Sequence, residues 1–95
     1  MSNSTLRRYR AEILDLATRH GAVNVRVFGS MARGEGRGDS DLDLLVTLGE
    51  GRSLLDLVGL KQDLEELVHR PVDVVTERGL SPYIRDRVLS EAIPL

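Results

Sequence analysis

An Asp-x-Asp pair set into an apolar run, Asp41-Leu42-Asp43-Leu44-Leu45-Val46, constrains this chain more than any other feature. Side chains at i and i+2 of a strand share a face, so both carboxylates project into one space. Leu42, Leu44 and Val46 then take the opposite face with the parity of a buried sheet surface. Two like charges roughly 6.6 Å apart along a strand repel by about 0.6 kcal/mol in water and about 2.5 kcal/mol at an effective dielectric near 20. A bound divalent cation reverses that cost, and two hard oxygen ligands suit magnesium. The pair is therefore expected at the start of a strand, over a cleft.

Upstream, Phe28-Gly29-Ser30-Met31-Ala32-Arg33-Gly34 reads as a phosphate cradle. A Gly-Ser turn after an apolar strand offers backbone N–H groups and a hydroxyl to an anion, helped where a helix N-terminus adds partial positive charge. Arg33 is able to reach phosphate oxygens or to fix the loop through an ion pair. A third acid, Asp73, lies in Pro71-Val72-Asp73-Val74-Val75-Thr76, a β-branched run bounded by turn or polar signals and so a predicted strand. If that strand lies beside the Asp41 to Val46 strand, three acids converge. Phosphoryl and nucleotidyl transfer both need metal to neutralise a triphosphate and an oxygen base or metal contact to prepare the incoming hydroxyl.

Taken singly these signals are weak. Gly-Ser is most often an ordinary turn, alternate acids on a strand usually face water, and Asp39 has the character of a turn residue. Their joint spacing is more specific. Ten residues, Met31 to Ser40, separate Gly29-Ser30 from Asp41-Leu42-Asp43, and a later strand carries Asp73.

This array resembles the minimal nucleotidyltransferases of the polymerase-beta-like superfamily, whose pattern is Gly-Ser, ten residues, Asp-x-Asp. The resemblance extends through Ala32, Arg33 and Gly34, the Ser40-Asp41 pair, Asp73 and the order of elements over nearly all of the chain. It implies an α/β fold with a mixed three-stranded sheet flanked by about four helices. It also implies that Gly29, Ser30 and Arg33 bind nucleotide while Asp41, Asp43 and Asp73 bind metal and act catalytically, with two Mg2+ ions and ATP as substrate. Small stand-alone members are often paired with a HEPN protein, an α-helical RNase toxin, as antitoxin of a two-gene module. By that resemblance the acceptor is a tyrosine of a HEPN-family toxin, modified with AMP, in a hetero-oligomer. A binding-only antitoxin, neutralising its partner by contact, is the rival from another class; a nucleic-acid-modifying or nucleic-acid-binding domain is the second.

The bounds on the chain agree with this reading. Ninety-five residues, 41% apolar and 29% charged, suit one soluble domain. Such a chain has one core and too little mass for a deep enclosed site, which leaves the pocket for a partner to complete. With 13 basic against 15 acidic residues and a net charge of -2 there is no bulk attraction for nucleic acid. Tyr9, Phe28 and Tyr83 are the only aromatics, too few to stack a strand of bases. No apolar run spans a membrane, no leader pattern opens the chain, and zero cysteines exclude thiolate chemistry. A cytoplasmic protein is expected.

Leu6, Tyr9, Ile13, Leu16 and Ala17 recur at helical spacing and predict a helix over 5–20, stopped by Gly21. Val23, Val25 and Val27 alternate with Asn24, Arg26 and Phe28, predicting a strand with one apolar face. Gly34, Gly36 and Gly38 predict a mobile loop. A second helix is expected over 53–69 on the stripe Leu57, Leu60, Leu64 and Leu67. Ser81-Pro82 should cap a last helix running to Ser90, and residues 92–95 an extended tail. His20 and His69 fall at predicted helix ends, where capping is the expected role. Arg7, Arg8 and Arg10, and Arg78, Arg85 and Arg87, form two basic clusters read as solvated surface or as contacts for a partner.

Overall fold

The computed structural model describes residues 4–34 and 41–95. In chain order the elements are α1 (Ser4–Arg19), β1 (Ala22–Phe28), α2 (Gly29–Ala32), β2 (Leu42–Leu48), α3 (Leu54–Val68), β3 (Val72–Thr76), α4 (Pro82–Glu91) and β4 (Ile93–Pro94). The strands form one mixed sheet in the order β3-β2-β1-β4. β1 runs antiparallel to both β2 and β4, while β2 and β3 are parallel. The fold is α/β as expected, but the sheet has four strands rather than three. The extended tail folds back on β1: Ile93 and Pro94 pair with Val27 and Arg26, and Leu95 donates its N–H to the Val25 carbonyl at 3.0 Å.

Local chemistry explains the element boundaries. Gly21 takes φ +75 to close α1, a conformation that favours glycine. α3 begins in a capping box, with Ser53 Oγ accepting from the backbone of Leu55 at 3.2 Å and Asp56 Oδ2 from the Ser53 N–H at 3.0 Å. Ser81 caps α4 in the same way, accepting from Tyr83 at 3.2 Å, with Pro82 at the first helical position.

The sheet is covered on both faces. On one, Leu42, Leu44 and Val46 of β2 pack with Val72 and Val74 of β3 against Ile13 and Ala17 of α1 and Leu60, Leu64 and Val68 of α3. On the other, Leu45 is fully buried under Leu80 and Val88, with Phe28 and Val75 beside them. By the strand period of two, Asp43 shares that second face with Leu45, so the acids look toward α4.

Two sequence expectations change. β1 carries a bulge: its register against β2 slips between Val23 and Arg26, and Asn24 sits at φ +52. The extra residue breaks the alternation, so Ala22 and Val25 point inward while Val23 is 54% exposed. His20 does not cap α1 with its ring. Its backbone N–H closes the helix onto Leu16 and Ala17, whereas Nε2 crosses to Asp63 Oδ2 of α3 at 2.8 Å. His69 is the C-cap residue of α3 through its backbone, whose N–H reaches the Glu65 carbonyl at 3.0 Å. The glycine-rich loop predicted to be mobile, with Asp39 and Ser40, lies outside the described residues apart from Gly34.

Candidate active site

The end of β1, the start of β2 and the outer part of α4 enclose an open cleft of about 630 Å3. Gly29 and Ser30 enter it directly from β1, because Phe28 is the last strand residue and Gly29 turns the chain at φ +74. The helix that follows, α2, spans Gly29–Ala32 only. Any anion held here would therefore rely on individual N–H groups, not on the macrodipole of a long helix.

Asp43 stands opposite that turn. Phe28 and Asp43 are antiparallel register partners, and a Cβ added to Gly29 would collide with Asp43 Oδ2 and approach its Cγ to 3.2 Å. Glycine is required here twice, for its φ and for the space the carboxylate takes. On the other side of β2, Asp43 pairs in parallel register with Asp73 of β3, so the two acids share a face. Asp41, exposed, precedes β2 by one residue and lines the same cleft.

The electrostatics follow from this crowding. Burial, then the charge of Asp73, then that of Asp41, push the Asp43 carboxyl from its ordinary value up to about 6, with Arg33 acting the other way. Asp73 does not itself line the cleft. Among the described residues, no three acidic or imidazole side chains stand close enough to form a ready-made ion site. The acids nonetheless fit a divalent cation chemically: oxygen donors, one half-buried, whose mutual repulsion a positive ion would relieve.

Arg33 also lines the cleft, where its Nη1 donates to Glu91 Oε1 at 3.0 Å. Two further residues belong to the cleft that the sequence reading did not place there. Glu91 accepts from the Gly29 N–H at 3.3 Å and from Arg87 Nε at 3.2 Å. Its carboxyl is held below the ordinary range by the Arg87 hydrogen bond, the Gly29 N–H and the Arg33 charge. Arg87, grouped above with surface cations, in fact lines the cleft with Ile84 and Val88. The signal available in the sequence was the Arg87–Glu91 spacing of four on a helix; nothing local placed that pair against Gly29.

A nucleotidyltransferase-domain family model matches residues 6–95, and the chain belongs to that family. It is an enzyme of the nucleotidyltransferase class. Among its relatives, MJ0435 of Methanocaldococcus jannaschii, named as a candidate protein adenylyltransferase, is 45% identical over 84 residues, 88% of this chain and 90% of that one. The protein adenylyltransferase MntA of Thermococcus cleftensis is 40% identical over 79 residues, covering 83% and 80% respectively. A solved structure described as a candidate minimal nucleotidyltransferase superposes with TM-score 0.86 at 61% identity, over 100% of this chain and 97% of that one. A toxin–antitoxin structure with AMP-PNP shares the fold at TM-score 0.75 and 22% identity, over 88% and 69%. No helix among the described residues is long and apolar enough to cross a membrane.

Proposed function

We propose that this chain is a single-domain, magnesium-dependent adenylyltransferase. It moves AMP from ATP to a tyrosine hydroxyl of a HEPN-family RNase toxin and serves as that toxin's antitoxin in the cytoplasm. The observation that carries the reading is the placing of the Asp43 carboxylate against the Gly29 turn, in register with Asp73 and in one cleft with Asp41, where burial first and then those two charges push it up to about 6. A perturbed acid in a cleft, flanked by like charges and close to a glycine turn, is the expected state of a metal and polyphosphate site. The names of the relatives supply the adenylyl group and the protein acceptor.

In this reading Gly29 and Ser30 hold the β- and γ-phosphates, with Arg33 beside them. Asp41 and Asp43 hold magnesium, and Asp73 contributes to a second ion or takes the proton of the incoming hydroxyl. Magnesium, when bound, neutralises charge on the phosphates as the transition state forms. The acceptor oxygen attacks the α-phosphorus, its bond to the bridging oxygen breaks, and pyrophosphate leaves. The chain's own part is placement, holding the triphosphate and the acceptor in line.

ATP binding should require the metal, since a bare triphosphate would otherwise face Asp41 and Asp43 directly. Calorimetry with magnesium or with EDTA checks this; equal affinity in both would remove the two-carboxylate site. The function itself is tested by incubating the protein with labelled ATP, magnesium and the product of the neighbouring gene, then mapping the added mass. AMP on a tyrosine of that partner is the expected result. In cells, the Asp41→Asn, Asp43→Asn double variant should still bind the partner yet fail to protect against it. Full protection by that variant would mean that neutralisation is by contact, and the catalytic reading would fail.

A further inference from the structure

Three hydrogen-bond donors in the cleft already hold an anion, and the anion belongs to the protein. Glu91 Oε1 accepts from the Gly29 N–H at 3.3 Å and from Arg33 Nη1 at 3.0 Å. Oε2 accepts from Arg87 Nε at 3.2 Å. The donors come from parts of the chain some sixty residues apart, the turn after β1 and the last helix. They meet on one carboxylate whose side chain is only 20% exposed. A backbone N–H with two guanidinium groups is a donor set suited to a phosphate, and a carboxylate matches it in charge and in oxygen geometry.

We propose that Glu91 is an internal stand-in for phosphate, a specificity-determining residue that the β- and γ-phosphates of the incoming nucleotide must displace from Gly29, Arg33 and Arg87. The inference rests on Gly29-Ser30 being the polyphosphate cradle, and it adds Arg87 to the groups that grip the polyphosphate. Displacement is a contest between anions for the same donors. A triphosphate brings several oxygens and more charge than one carboxylate, so it wins. A nucleoside monophosphate has no phosphate beyond the one under attack and leaves Glu91 in place. Once pyrophosphate has formed, the same carboxylate competes for its donors and favours release. Glu91 thereby grades ligands by phosphate count and keeps the empty cleft from filling with short anions.

The test is calorimetric titration of the full chain with magnesium and ATP, magnesium and inorganic pyrophosphate, or magnesium and AMP, for the parent and for Glu91→Gln. The glutamine keeps the shape but lacks the charge, so the donors are held less firmly. ATP and pyrophosphate should bind roughly tenfold tighter to the variant, the difference between a charged and a neutral hydrogen-bond acceptor, while AMP affinity stays put. Weaker or unchanged ATP binding by a variant whose parent binds ATP would overturn the proposal. Glu91 would then merely orient Arg33 and Arg87, and the cradle would stand. Absence of ATP binding in both proteins would overturn the cradle reading and this proposal together. A measurement on the unaltered protein covers the chance that the variant misfolds. In nitrogen-15 spectra the Gly29 amide should shift on saturation with pyrophosphate and not with AMP, and an amide that ignores pyrophosphate would refute the exchange.

Discussion

Asp43→Asn is expected to abolish nucleotidyl transfer and, at neutral pH, to make the protein harder to unfold. The first effect follows from removing a proposed metal ligand, which forfeits several kcal/mol of transition-state stabilisation and at least about a hundredfold in rate. The second follows from the raised carboxyl, which titrates near 6 in the folded chain and at 3.8 as an isolated side chain. An acid whose folded value is raised stabilises the fold fully below its unfolded value and loses that contribution as pH rises through the folded one. Above pH 6 the wild-type protein therefore carries an unfavourable charge that asparagine lacks. The gap between those two values would correspond to about 3 kcal/mol if fully felt. Asp43 is only half-buried, and solvent screening reduces this to about 1 kcal/mol. Urea unfolding of parent and variant should show that gap at pH 7.5, shrinking toward zero as pH falls below 4. The comparison must be between the two proteins at each pH, because Asp56, Glu65 and Glu91 are shifted the opposite way and lose stabilising charge in acid. A variant no more stable than its parent at pH 7.5 would mean that Asp43 is not under the repulsion described.

Gly29→Ala should damage the protein in two separable ways. Alanine at φ +74 pays a backbone strain of about 1–2 kcal/mol, and its Cβ must push the Asp43 carboxylate aside. Gly51 provides the control, at φ +78 with no atom within 4 Å of an added Cβ. Gly51→Ala should lose about 1 kcal/mol and keep its transfer activity. Gly29→Ala should lose more stability than that control and nearly all activity, since it displaces Asp43 and reshapes the turn. Equal destabilisation by the two substitutions, with activity retained in both, would show that the Gly29–Asp43 approach has no functional weight.

Much of this architecture is written locally. The parity of Leu42, Leu44 and Val46 against Asp41 and Asp43 depends only on the strand period, and the structure places those leucines and the valine in the core. Ser53, and Ser81 with Pro82, start their helices by hydrogen bonds within three residues, so neighbours in sequence suffice to read them. Gly29 at the end of β1 is legible for the same reason.

Tertiary structure decided whatever depends on which segments meet. The bulge at Asn24 turned Val23 to solvent, because the register between β1 and β2 is set by the whole pairing and not by the alternation of one strand. The tail became β4 because β1 had an unpaired edge, and an edge with open N–H and C=O groups takes up a strand whose own apolar signal is slight. Asp73 lies beside Asp43 only through the parallel register of β2 and β3, a pairing that no spacing along the chain encodes. The Arg87–Glu91 pair is an ordinary helical ion pair in sequence. It becomes part of the cleft because Leu80 and Val88 bury Leu45 and so dock α4 across the face that carries Asp43, bringing Glu91 onto the Gly29 N–H from 62 residues away.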